Sequence, residues 1–268
     1  MENHRKPIYE ELNIPGNHPT MHTQEKSKQI FLFLTALLLL TSLCSITLHS
    51  NQEEASFVSF ISDPQKQNLS FYWKDENNIP FKSIQNLKQW LQKRKTHLVF
   101  AMNGGMYKED NSPLGLYIEN NKLLKKLNTL KGTGNFYTQP NGVFYITDNS
   151  KAVICKTDDF SYHANIKYAT QSGPLLLTDG KINPLFKEGS ANLNIRNGVG
   201  ILPDGNLIFS ISKKEVNFYD FAIFFKSLGC KNALYLDGFV SRMYLPEKNR
   251  TQLDGNFGVM IAVIQKEK

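Results

Sequence analysis

Asp237 ends the apolar run Ala233-Leu234-Tyr235-Leu236 and is followed by Gly238. A carboxylate at a strand end beside glycine is held firmly yet open to a ligand, the setting of a general base or of a group that stabilises a developing cation. An Asp-Gly pair also makes ordinary turns, and that reading stands beside the first. Arg196, ahead of Asn197-Gly198, carries a planar fork of donors that suits phosphate oxygens, or else an acid such as Asp237 in an ion pair joining two strands. Asn103-Gly104-Gly105 follows Val99 to Met102, and successive free amides there would form an anion-binding nest. The alternative is a tight turn with Asn103 in the left-handed region. Gln171, Ser172 and Gly173 precede Pro174, and Ser241 follows the Asp-Gly pair; Gln171, Ser172 and Ser241 offer neutral hydrogen bonds to a sugar. Asn103, Gly173, Arg196 and Asp237 each sit where an apolar strand meets a polar turn, and they are expected to converge on one site.

Other chemistries fit less well. Ser241 has no hydrolase elbow around it, so no serine triad is read. His163 stands alone between His97 and the C-terminus and reads as a surface side chain. No Cys and His residues share a zinc spacing, and Asp158, Asp159 and Asp179 would hold calcium only through an arrangement that spacing does not reveal. Neither a metal nor a cofactor is expected.

The elements that must position these residues are mostly strands. Phe57 to Ile61 and Leu69 to Trp73, separated by Asp63-Pro64, read as an opening hairpin. Further hairpins turn at Glu119-Asn120-Asn121, at Thr147 to Lys151, at Asp179-Gly180 and at Pro203-Asp204-Gly205-Asn206. Ile84, Leu87, Trp90 and Leu91 recur at helical spacing after Ser83, ending in Lys93-Arg94-Lys95. Trp90 falls on the core face of that helix. Asn217 caps a second helix with Phe218, Phe221, Ala222, Phe225 and Leu228 on one face, stopped by Gly229. Phe257 to Ile264 make a closing strand. The fold class is α+β: mostly antiparallel or mixed sheet with two main helices.

The 268 residues are 41% apolar and carry a net charge of +7. Residues 1–29 contain Pro7, Pro15 and Pro19 without a sustained apolar period and read as a disordered tail. Residues 30–48 hold no charge and match the ~20 positions that cross a bilayer as a helix. Lys26 and Lys28 precede them and Glu53 and Glu54 follow, which places residues 50–268 outside the cytoplasm. Read from Met21, the same stretch is a signal peptide with a short basic start, so a cleaved signal and an uncleaved anchor both stand. Localisation is then periplasmic, cell-envelope or secreted. The positive charge lies wholly in the exported part, where it suits anionic ligands or simply solvates the surface. Cys155 and Cys230 either pair there or stay as free thiols.

Asn103-Gly104-Gly105-Met106-Tyr107, Gln171-Ser172-Gly173-Pro174, Arg196-Asn197-Gly198-Val199-Gly200 and Leu236-Asp237-Gly238 occur in that order, with Pro140-Asn141-Gly142-Val143-Phe144 between. On these stretches the chain resembles the phosphodiester glycosidase domain family over about residues 95–265. That family includes the lysosomal enzyme that uncovers mannose 6-phosphate by removing N-acetylglucosamine, and bacterial exopolysaccharide-related proteins. The run Gly238-Phe239-Val240-Ser241 lacks two glycines of the uncovering-enzyme branch, so the bacterial branch is the nearer. The resemblance implies hydrolysis of a sugar-1-phosphate diester at the anomeric carbon in envelope or exopolysaccharide metabolism. For that reaction the residue chemistry above offers Asp237 and Arg196 as the catalytic pair, Arg196 clamping phosphate, and Asn103, Gly104, Gly105, Gln171, Ser172, Gly173 and Ser241 as the substrate contacts. The partner implied is a phosphate-containing glycan, with no nucleic acid, and with the membrane only through residues 30–48 if these are kept. A non-catalytic glycan-binding or polysaccharide-assembly protein of the same fold is the alternative. In a purely structural domain, Tyr107, Phe239 and Tyr244 would be packing residues instead of sugar platforms.

Overall fold

Short β-branched and aromatic runs punctuated by Asp-Gly, Asn-Asn and Pro-Asp-Gly turns give sixteen strands among the described residues, every pair antiparallel. The computed structural model describes Leu32, residues 56–237 and residues 240–267. The chain divides into two units, Met1–Ser50 and Asn51–Lys268, and all three sheets lie in the second. The expected tail 1–29 and the apolar segment 30–48, Leu32 apart, lie outside the described residues. Among the described residues no helix is long and apolar enough to cross a membrane.

The first sheet runs β1 (Phe57–Ser62), β12 (Leu207–Ser212), β11 (Asn197–Ile201), β13 (Ala233–Asp237), β9 (Leu175–Thr178), β10 (Lys181–Ile182). The second runs β15 (Arg250–Thr251), β14 (Met243–Leu245), β3 (Thr96–Asn103), β16 (Met260–Lys266), β2 (Asn68–Tyr72). The third runs β5 (Lys122–Lys125), β4 (Tyr117–Glu119), β8 (Ile166–Ser172), β6 (Gly142–Thr147), β7 (Ala152–Lys156). One buried cluster draws on all three, with Phe60, Phe71, Phe100, Phe144, Phe209 and Leu236 among its members. Each fully buried Phe or Leu there contributes about 1.5–3 kcal/mol from apolar burial.

The four later hairpins form as their turn residues require. Asn120 and Asn121 both take positive φ (49° and 63°), as do Asp179 and Gly180 (50° and 74°), which suits two-residue turns whose twist matches the strands. The opening hairpin does not form. The Asp63 turn exists, with the Asp63 carbonyl accepting from Lys66 and Gln67, but β1 pairs with β12 and β2 with β16. The turn therefore hands the chain from the edge of one sheet to the edge of another, and both strands wait for partners from the far half of the chain.

Among the described residues two α-helices pack on the sheets. α1 (Ile84–Gln92) is capped by Ser83 and buries Ile84, Leu87 and Leu91. Trp90 is only half-buried, donating to Glu76 at 2.8 Å and carrying the Arg94 guanidinium 3.9 Å above its ring. The basic run lies just past the helix; Arg94 Nη1 still reaches the Trp90 carbonyl at 3.1 Å, closing a late orphan acceptor. α2 (Phe218–Ser227) is capped by Asn217 and lays Phe221 and Phe225 over Gly198 and Gly200 of β11. A Cβ on Gly200 would stand 2.7 Å from the Phe225 ring, so these glycines set how closely the helix docks. With helices of nine and ten residues beside sixteen strands, the α+β class holds in a sheet-rich form. Cys155 and Cys230 are free thiols, pushed up by burial to about 11 and about 12.

Candidate functional site

β13 is buried on both faces, which its unbroken apolar run requires. Leu234 and Leu236 enter the central core, while Ala233 and Tyr235 pack under α2. Its ladder with β11 pairs Gly198 with Tyr235 and Asn197 with Asp237, so Leu236 is an extra residue in a bulge. A bulge bends the strand and re-aims the next residue, here Asp237. The Asp237 N–H donates to the Asn197 side-chain Oδ1 at 2.9 Å. Asn197 Nδ2 donates in turn to Asn103 O and Oδ1 at 2.9 and 3.0 Å, and Asn103 Oδ1 also accepts the Arg242 N–H at 2.9 Å. Ser241 Oγ closes the base of the turn onto the Asp237 carbonyl at 2.8 Å, and Ser172 Oγ reaches the Leu236 carbonyl at 2.9 Å. The ends of β3, β8 and β13 and the start of β11 thus meet at one place.

Beside this junction lies a cavity of about 280 Å³. Asp237 lines it, 8% exposed. Met106, Tyr107 and Leu114 wall one side, Thr133 to Phe136 of the connection between β5 and β6 another, with Val240 beyond Asp237. Burial first, then the Asp237 carboxylate, raises the Tyr107 phenol above its usual range, so the two groups sense each other across the cavity. A larger hollow of about 460 Å³ along β1 and the end of α2 contains none of the junction residues.

Arg196 is placed differently from the phosphate clamp its fork suggested. It is wholly buried, donating to the Val216 carbonyl at 2.8 Å, to the Asn192 carbonyl and Oδ1 at 2.8 and 3.1 Å, and to the Tyr235 hydroxyl at 3.3 Å. The Phe218 ring centre lies 3.6 Å from the guanidinium. Four of its five N–H groups are therefore used inside the protein, on neutral partners, and it does not line the cavity. Burial draws its pKa down and the neighbouring Tyr235 partly restores it.

Asn103 ends a regular strand; it is not a left-handed turn residue. The nest is not free, because the Gly104 N–H donates to the Val259 carbonyl at 2.8 Å. Gly104 and Gly105 are instead small by necessity, a Cβ on either coming within 2.5 Å of Ile261 or Thr170. Gln171 is buried with its amide fully engaged: Oε1 accepts from Leu116 and Asn128 N–H, and Nε2 donates to Asn128 O and Thr157 Oγ1. It ties down the start of the loop that carries Thr133 to Phe136 and does not face the cavity. Ser172 and Ser241 are likewise buried junction residues, and Gly173 packs against Asn141 and the Phe136 carbonyl. Tyr244 is buried and packs with Phe257, while Tyr107 is half-buried in the cavity wall; Phe239 lies outside the described residues. His163 is exposed, its ring edge-on to Tyr145.

Sequence reasoning passed over Asn197. For Asn197 a signal existed: the period-2 alternation of a strand sends Asn197 to the face opposite Arg196, toward the core, where a polar side chain needs partners.

The chain belongs to the phosphodiester glycosidase family, whose model matches residues 96–263 and so takes in the junction and the residues that line the cavity. The Escherichia coli K12 protein YigE is 38% identical over 219 residues, spanning 81% of this chain and 85% of that one. The catalytic domain of zebrafish N-acetylglucosamine-1-phosphodiester alpha-N-acetylglucosaminidase, solved auto-inhibited by its pro-peptide, superposes with a TM-score of 0.56 at 16% identity, covering 79% of this chain and 83% of that one. At that identity it is the fold that is shared.

Proposed function

We propose that the protein hydrolyses a glycosyl-1-phosphodiester, breaking the bond between the anomeric carbon and the phosphate oxygen. The observation that carries this is Asp237, the sole carboxylate among the described residues lining the cavity of about 280 Å³. In this reading Asp237 takes a proton from water as the water oxygen bonds to the anomeric carbon. The departing oxygen keeps the bonding pair and leaves as a phosphomonoester. A phosphate leaves readily, so the step needs little general acid, and the Tyr107 phenol across the cavity supplies a hydrogen bond in place of a second carboxyl. Turnover of a sugar-1-phosphate diester in ¹⁸O-water tests the bond. Label should enter the sugar; label in the phosphate would mean attack at phosphorus and would remove the glycosidase assignment.

The substrate is then a phosphodiester-linked glycan of the envelope or an exopolysaccharide, met outside the cytoplasm. Support for that location is the charge-free run 30–48 with its basic leading flank. A periplasm-dependent reporter fused after Lys268 should be active, and activity only of a cytoplasm-dependent reporter would reject export.

A further inference from the structure

A bulge removes a ladder bond, and the main-chain donor it strands must be satisfied by something else. At Asp237 that role falls to one side chain. We propose that Asn197 is the positioning residue of the reaction centre: its amide replaces the hydrogen bond lost at the Leu236 bulge and fixes the direction in which the Asp237 carboxylate leaves the sheet. This rests on the reading of Asp237 as the reacting carboxylate.

Proton accounting fixes both amides. The Asp237 N–H can only donate, so the Asn197 atom 2.9 Å away is oxygen and its Nδ2 must face Asn103. The Arg242 N–H likewise identifies Asn103 Oδ1. Asn197 therefore holds Asp237 directly and Arg242 through Asn103. Ser241 has one hydroxyl proton and two acceptors, the Asp237 carbonyl at 2.8 Å and Asn197 Oδ1 at 3.3 Å, and the shorter bond takes most of it. Asn197 Oδ1 thus serves mainly Asp237. Asn197 is wholly buried and does not line the cavity beside Asp237, so in this reading it acts through Asp237. Among the described residues buried Asn103 Nδ2 has no hydrogen-bond partner. A neutral amide also holds Asp237 without adding charge beside it, which a carboxylate in the same position would do.

The test uses the full-length protein with three variants. Asn197→Ala should lower kcat on a sugar-1-phosphate diester by ~10²-fold with KM within about threefold, the signature of a displaced reacting group. Asn197→Asp keeps the acceptor for Asp237 but sets an oxygen against Asn103 and a charge beside Asp237. The acid limb of its kcat/KM profile should move up by about one pH unit. Gly200→Ala, on the same strand but crowding Phe225 and Cys230, should lower stability and leave kcat in place. Amide hydrogen exchange read by NMR needs no turnover: in Asn197→Ala the Asp237 amide should exchange at least ~10-fold faster while Leu234 is unchanged. Unchanged exchange at Asp237, or full kcat in folded Asn197→Ala, overturns the proposal. If the wild-type protein turns over no diester, the hydrolase reading fails, and the exchange experiment still decides whether Asn197 holds Asp237. Should Asn197→Ala not fold, the pH shift of Asn197→Asp decides, and an unmoved acid limb counts against positioning.

Discussion

Asp237→Asn is expected to lower kcat on a sugar-1-phosphate diester by at least ~10²-fold, the low end for loss of an acid–base group, with KM changed by less than about threefold. The substitution keeps the shape of the side chain and leaves the main-chain bond from Asp237 N–H to Asn197 untouched, so the turn should stay in place. What it removes is the negative charge at the cavity and the ability to take a proton. The raised Tyr107 phenol offers a second readout in the same variant. Burial is its larger cause and remains, but the part owed to the Asp237 carboxylate disappears, so the Tyr107 pKa should fall toward its usual value. Spectrophotometric titration of Tyr107, isolated by difference against Tyr107→Phe, would follow it. A folded Asp237→Asn enzyme with full turnover would remove Asp237 from the reaction, whatever the Tyr107 pKa does.

Much of this arrangement is legible in the sequence where local rules govern. Asp179-Gly180 and Asn120-Asn121 form their turns because few other residues tolerate positive φ at two successive positions, and Asn217 and Ser83 cap their helices because free N–H groups demand an acceptor. The run 233–236 signals a doubly covered strand that ends at Asp237. What escapes is decided by partners distant in the chain. Nothing in Phe57 to Trp73 distinguishes a hairpin from two strands that seek β12 and β16, since both readings bury the same aromatic residues. The Leu236 bulge has no compositional mark either, because it is a shift of register between β11 and β13, in which Asp237 meets Asn197 across forty positions. Gln171, Ser172 and Ser241 are legible as polar residues near the site but not as buried ones, and burial is what turns a ligand contact into a tether.

Arg196 shows the same limit with the largest consequence for stability. An arginine beside a glycine turn reads as available because guanidinium groups usually stay in water. Here α2 needs a covered face on β11, and the side chain is caught beneath it between Phe218 and Tyr235. Arg196→Ala should destabilise the protein by about 3–5 kcal/mol, since it leaves the Asn192 carbonyl without its donor, takes from the Val216 carbonyl one of two donors (the Asn194 N–H remains), and opens a void against two rings. For a domain of this size that lowers Tm by roughly 10 °C, measurable by calorimetry. Arg196→Lys keeps the charge but not the fork, and should lose about half as much. The same variant separates a fold-holding arginine from a phosphate clamp. In folded Arg196→Lys the KM for the diester should stay within about threefold of wild type, because the side chain does not line the cavity. A sharp rise in KM with an unchanged melting temperature would reverse the assignment and return Arg196 to the phosphate.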